Sequence, residues 1–175
     1  LGGNDKIVIG STGPSFVESG DGNDDVTGSP YVDKFYGGDG NDKLRGLGGD
    51  DLIYGNAGDD SPAGGDDDDA LLGGDGDDKV TCGAGFDQCY GEDGEDRIGR
   101  EPINPSIEEA GESPEQGDDL IDAGPDNDFV EAGEGNDRVL GGSGDDVVTG
   151  GIGNDTLIGQ TGDDYLEGGD GNDWI

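Results

Sequence analysis

Apolar residues recur along this chain with a period of nine. Val26, Phe35, Leu44, Ile53, Leu71, Val80, Cys89 and Ile98 lie on that period, with Ile7 one residue out of step. After a break, Ile121, Val130, Val139, Val148, Leu157, Leu166 and Ile175 resume it. Pro62 is the one clear exception. The pattern predicts a repeating unit: a six-residue turn rich in Gly and Asp, then a three-residue strand. Side chains alternate along a strand, so the middle residue faces one side and its two neighbours the other. One buried side chain cannot hold a strand alone, but stacked units give it neighbours above, below and opposite. Two units make one turn of 18 residues, with a strand on each side and a turn at each edge. The expected fold is all-β: a right-handed parallel β-solenoid of two thin sheets around one narrow apolar seam. Nine or so turns at ~4.8 Å each would make a rod roughly 40 Å long.

The acidic residues share this grid. Asp24, Asp33, Asp42, Asp51, Asp60, Asp69, Asp78, Asp87 and Asp96 are nine apart, as are Asp119, Asp128, Asp137, Asp146, Asp155, Asp164 and Asp173. Asp5 joins the series one residue out of step, and Ser15 fills the next slot. With this aspartate as position 6, the apolar residue is position 8, position 4 is mostly Gly, and position 5 is mostly Asn or Asp.

Composition first suggests something else. The 175 residues carry 45 Asp and Glu against 8 Lys and Arg, a net charge of -37, and only 27% are hydrophobic. Globular domains draw on about 45–50% apolar residues, and low hydrophobicity with high charge is the mark of disorder. Disordered acidic tails have no nine-residue phase, so disorder here describes the metal-free chain. No apolar run approaches the roughly 20 residues of a membrane span. Nucleic acid is excluded as a partner by its own negative charge. The absence of His removes His-based catalysis.

The turns point to a cation. Glycine permits close backbone approach, so carbonyl oxygens can converge, and position 6 adds a carboxylate. Aspartates stacked about 4.8 Å apart would repel strongly without counter-ions. Oxygen-only ligands indicate calcium, which accepts six to eight of them in flexible geometry, over magnesium, with its tighter octahedron. Zinc lacks its N and S donors. Roughly 12–15 Ca²⁺ ions would bring the net charge to about -10.

The segment Gly37-Gly38-Asp39-Gly40-Asn41-Asp42-Lys43-Leu44-Arg45 follows the nonapeptide GGxGxDxUx, with U apolar. So do Gly73 to Thr81, Gly141 to Thr149 and Gly150 to Ile158. In these segments the chain resembles the RTX (haemolysin-type) calcium-binding repeats, over nearly its whole length. The resemblance implies a parallel β-roll in which each calcium ion sits between adjacent turns on the same edge. Its ligands would be the position 6 carboxylates from Asp24 to Asp173 and carbonyls of the glycine-rich turns: Gly38, Gly40, Gly74, Gly76, Gly142, Gly144, Gly151 and Gly153. It also implies bacterial secretion by a one-step, type I exporter, with folding on contact with extracellular calcium.

Several positions depart from the pattern. Ser15 lacks the carboxylate, Pro62 removes a strand donor and thins the seam, Asp67 replaces the position 4 glycine, and Phe86 replaces Asn or Asp at position 5. Arg100 to Gln116 is an insertion rich in Pro and Glu. The expected organisation is a roll over 1–99, a loop over 100–116 and the same roll over 117–175. Beginning mid-unit and ending on a strand, the chain reads as a fragment, one segment of a longer array, or a subunit that stacks end to end.

Cys89 takes an inward position 8, and Cys82 replaces the position 1 glycine. In an oxidising exterior the two would form a disulfide across one turn; the alternative is a pair of small buried thiols. Seven of the eight basic residues fall on outward positions 7 and 9. Tyr36, Tyr54, Leu72 and Tyr90 should form one outward column on one sheet, and Phe129, Val147 and Tyr165 a second on the other. Leu140 and Ile158 suggest a shorter third. Such columns either brace strands laterally or dock a second chain.

These features describe a calcium-binding extracellular structural or assembly module that folds on binding Ca²⁺, part of a surface-layer, adhesin or filament-type protein. The alternative is a non-catalytic export and folding domain at the C-terminus of a secreted hydrolase or toxin. No catalytic constellation stands apart from the periodic carboxylates, and a glycosidase pair is not needed to explain them. A Thr-rich ice-binding face is absent.

Overall fold

The computed structural model describes residues 2–10, 13–99 and 117–175. The insertion expected at 100–116 lies outside the described residues. In chain order the strands are β1 (Lys6–Val8), β2 (Ser15–Asp21), β3 (Asp25–Thr27), β4 (Asp33–Asp39), β5 (Lys43–Gly48) and β6 (Leu52–Ala57). Next come β7 (Ser61–Asp66), β8 (Ala70–Asp75), β9 (Lys79–Ala84), β10 (Gln88–Asp93) and β11 (Arg97–Gly99). The series ends with β12 (Leu120–Pro125), β13 (Phe129–Glu134), β14 (Arg138–Ser143), β15 (Val147–Ile152), β16 (Thr156–Thr161) and β17 (Tyr165–Asp170).

Odd-numbered strands form a nine-stranded sheet and even-numbered strands an eight-stranded sheet, each in sequential order. All pairings are parallel, and partners are usually 18 residues apart, as in Tyr36 with Tyr54. The chain is a parallel β-solenoid of about eight turns, one fewer than the repeat count suggested.

The position 8 residues line the seam. Val26, Phe35, Leu44, Ile53, Leu71, Val80, Cys89, Ile98, Ile121, Val130, Val139, Val148 and Leu157 are all buried. Ile7 and Leu166 are half-buried against them, whereas Ile175 is 62% exposed. Pro62 is buried in the seam too. It pairs with Leu44 on one side, but on the other the β7–β9 ladder resumes only at Ala63 with Thr81. The missing N–H of proline costs a ladder pair and not the strand.

Two expectations are corrected. Most strands are six residues long, not three, because the ladder continues through the glycine pair, as in Gly133 with Gly151. Only β1, β3 and β11 are three residues long. Nor is there a third outward column. Tyr90 pairs with Asp122, Asp122 with Leu140 and Leu140 with Ile158, so these residues extend the tyrosine file. The alternation of strands between the two sheets continues from β11 to β12.

The outward files brace the sheets. Tyr36 and Tyr54 stack with centroids 4.7 Å apart and planes 4° from parallel. Lys34 Nζ lies 5.1 Å from the Tyr36 centroid, and the Arg97 guanidinium lies 4.6 Å from that of Phe129. These are cation–π distances. Lys6 and Arg45 both pair with Asp25, and the hydrogen bond from Lys6 is the main cause holding its carboxyl below the usual range. Cys82 and Cys89 are joined by a disulfide across the seam.

Candidate metal centre

Each turn delivers its position 6 aspartate to the start of the next strand, and both edges of the solenoid carry a file of them. One file runs Asp5, Asp24, Asp42, Asp60, Asp78, Asp96, Asp128, Asp146, Asp164. The other runs Ser15, Asp33, Asp51, Asp69, Asp87, Asp119, Asp137, Asp155, Asp173. Within each file the backbone N–H of one member donates to Oδ1 of the next, at 2.7 Å for Asp60 on Asp78 and up to 3.1 Å for Asp146 on Asp164. The insertion leaves both files intact: Asp87 donates to Asp119 and Asp96 to Asp128.

A second ladder runs the opposite way at position 5, on the solvent side. The N–H of Asn41 donates to Asn23 Oδ1, Asp77 to Asp59, Asn154 to Asn136 and Asn172 to Asn154. Asn and Asp both accept through Oδ1, and Asn adds a side-chain donor: Asn154 Nδ2 donates to Asn136 Oδ1 and Asn41 Nδ2 to Asp59 Oδ2. Phe86 donates its N–H to Asp68 Oδ1 at 3.0 Å but carries no oxygen to accept the next bond.

The inner carboxylate oxygen has a different fate. Asp24, Asp42, Asp51, Asp60, Asp69, Asp78, Asp87, Asp96, Asp128, Asp137, Asp146 and Asp155 are at most 3% exposed. In each, Oδ2 is buried without a hydrogen-bond partner. Leaving an ionised oxygen dry and unpaired is expensive. Burial, opposed by the backbone hydrogen bond and reinforced by neighbouring aspartates, pushes Asp69 up to about 8 and Asp51, Asp60, Asp78, Asp96 and Asp128 to about 7. Asp87 and Asp137 rise to about 6 for the same leading reason.

The orphan oxygens face a cradle of further oxygen. A Cβ added at Gly37 would strike Asp42 Oδ2 and the Gly55 carbonyl; one at Gly73 would strike Asp78 Oδ2 and the Gly91 carbonyl. Gly46, Gly55, Gly64, Gly141 and Gly150 repeat the arrangement. This position 1 carbonyl was not singled out from the sequence, although the glycine doublet is its signal.

The glycines that were singled out lie at positions 2 and 4, where φ is positive: 121° at Gly38, 128° at Gly40, 125° at Gly74 and 136° at Gly76. Gly142, Gly144, Gly151 and Gly153 match them. The Gly20 carbonyl lies over Gly38, Gly22 over Gly40, Asn56 over Gly74 and Gly58 over Gly76. Gly124, Asp126, Gly133 and Gly135 carbonyls lie likewise over Gly142, Gly144, Gly151 and Gly153. At these glycines the facing carbonyl occupies the space a Cβ would need.

The donor set fits a hard cation: carboxylate and carbonyl oxygens, with no His and with both cysteines tied in a disulfide. Among the described residues, no three His, Cys, Asp or Glu side chains form a metal site by themselves. A cation here must therefore draw on backbone carbonyls as well.

The RTX calcium-binding nonapeptide repeat profile matches residues 1–30, 27–62, 63–98, 115–148 and 149–175. The chain belongs to the RTX calcium-binding repeat family. Its repeats bind multiple Ca²⁺ ions, and an RTX β-roll is typically a non-catalytic structural module. No curated protein matches the chain. Among the described residues, no helix is long and apolar enough to cross a membrane.

Proposed function

We propose that this chain is a calcium-gated structural module of an extracellular protein, disordered until Ca²⁺ closes its turns. The aspartates of both files, from Asp24 to Asp173, would hold the ions together with turn carbonyls. Those carbonyls include Gly38, Gly40, Gly74, Gly76, Gly142, Gly144, Gly151 and Gly153, and the position 1 carbonyls such as Gly55. Bound calcium supplies the positive charge that lets neighbouring carboxylates stay ionised in a dry site. The observation that carries this reading is the row of buried Oδ2 atoms without hydrogen-bond partners.

Secretion is supported by the Cys82–Cys89 disulfide, since such bonds persist in oxidising compartments, and by the secreted habit of RTX proteins. A role in a surface layer, adhesin or filament rests on the near-complete repeat content. Self-association finds its support in Val147 and Tyr165, 37% and 60% exposed. The Tyr36–Tyr54 stack is already satisfied within one chain.

The test is a calcium titration of the metal-free chain followed by circular dichroism. Strand signal should rise cooperatively at about 0.1–1 mM calcium, the range of extracellular sites. No gain of strand signal at millimolar calcium would sink the reading.

A further inference from the structure

One member of the aspartate files is built differently. Asp33 is 2% exposed, as deeply buried as the others, yet both of its carboxylate oxygens are satisfied. Ser15 donates twice to Oδ1, through its N–H at 2.8 Å and its hydroxyl at 2.7 Å. Ser29 donates twice to Oδ2, through its N–H at 2.8 Å and its hydroxyl at 3.0 Å. Ser29 is itself 1% exposed. The Oδ2 that stands orphaned in Asp42, Asp51 and Asp60 thus has two donors here.

The backbone of this turn differs as well. In the other turns positions 2 and 4 carry positive φ, but Ser29 and Tyr31, which hold those positions here, do not. Pro30 separates them, and the preceding strand β3 stops after three residues. At position 5, Val32 has no oxygen for the solvent-side ladder and is 52% exposed. One file neighbour, Ser15, also lacks a carboxylate. The turn keeps its position 1 glycine, since a Cβ at Gly28 would meet Asp33 Oδ2 and the Gly46 carbonyl, but it lacks the orphan oxygen, the left-handed backbone at positions 2 and 4, and one of the two neighbouring file carboxylates.

We propose that the Ser15–Asp33–Ser29 cluster is a metal-free clasp, in which four protons from two serines occupy the carboxylate that calcium would otherwise bridge. Four donors on one carboxylate are enough to stabilise its charge in a dry site. Once calcium has closed the roll, this turn is fastened by hydrogen bonds in place of an ion, which takes Asp33 out of the ligand set proposed above for the aspartate files. The inference rests on the calcium reading of the other aspartates.

The test is the number of calcium ions retained per chain, measured by elemental analysis after gel filtration at saturating calcium. Asp33→Asn should retain the wild-type count, whereas Asp60→Asn should lose at least one ion. Equal loss in the two variants overturns the clasp. Should Asp33→Asn not fold, a Ser15→Asp, Ser29→Gly double variant decides: it restores the repeat pattern and should gain an ion, and an unchanged count overturns the assignment. If neither aspartate variant lowers the count, the calcium reading of the files falls, and the clasp with it.

Discussion

The backbone N–H of Asp87 donates to Oδ1 of Asp119 at 3.0 Å, across 32 residues of sequence instead of the usual 18. The same step recurs on the opposite edge, between Asp96 and Asp128. An insertion that interrupts the sequence period leaves the spatial period untouched. The aspartate files are therefore continuous, and a change at one member acts on the turns to either side.

Asp60→Asn isolates the charge of one member. The amide keeps an oxygen that can accept the Asp42 N–H, so the ladder survives, but the anionic ligand is lost. The calcium midpoint for folding should rise about tenfold, equivalent to ~1.4 kcal/mol, as read by circular dichroism across a calcium series. An unchanged midpoint would show that this carboxylate does not bind the ion.

The pH response should change sign with calcium. In chelator, the raised values of Asp51, Asp60, Asp69, Asp78, Asp96 and Asp128, at about 7 to 8, exceed the unfolded value of about 3.9. A group that holds its proton more tightly when folded destabilises the fold as pH rises from the unfolded value through the folded one. The metal-free chain should therefore gain strand content on acidification from pH 8 toward 5. With saturating calcium the ligands must be deprotonated, so acidification over the same range should release ions and loosen the roll. Parallel pH titrations of dichroism, with and without calcium, check both directions.

The Cys82–Cys89 bond closes a short loop across the seam, with a sequence separation of 7. Restricting a loop of that size in the unfolded chain is worth about 2.5 kcal/mol on chain-entropy grounds. Replacing both cysteines by serine should lower stability in calcium by at least that amount, since two hydroxyls then enter a dry seam. Denaturant unfolding at fixed calcium measures the loss.

Leu47, Glu92 and Gln160 occupy position 2 with φ of 89°, 77° and 76°, where most repeats have glycine. Such a backbone costs a side-chain-bearing residue about 1–2 kcal/mol. Leu47 is also 48% exposed, so little packing is lost with its side chain. Leu47→Gly should stabilise the calcium-loaded roll by about 1 kcal/mol, visible as a higher denaturant midpoint. A lower midpoint would mean that the side chain contributes more than the backbone strain costs.

Much of this architecture is legible from the chain alone. The nine-residue recurrence of residues such as Leu44, Ile53 and Leu71 places them in one seam, because a short strand has one inward side chain and only stacking can cover it. The recurrence of Asp42, Asp51 and Asp60 places carboxylates in register at the edges for the same reason. Two inward positions on facing strands allowed either a Cys82–Cys89 bond or two buried thiols, and the structure joins them. The glycine doublet was less legible. Read as turn, Gly64 and Gly65 belong to strand β7, because ladder pairing with the turns on either side decides where a strand ends.

Local periodicity alone determined the solenoid, its apolar seam and its acidic edges, since each follows from a repeat that cannot bury its apolar residue unaided. The tertiary structure decided which oxygen of each carboxylate is used by the protein and which is left over. Oδ1 is spent on the N–H of the neighbouring coil, and Oδ2 is stranded beside the position 1 glycine. It also decided that Asp33, identical to its neighbours in the repeat, is satisfied by Ser15 and Ser29. Those partners lie 18 and 4 residues away, and hydrogen bonds depend on where donors arrive in space, which a nine-residue pattern does not specify.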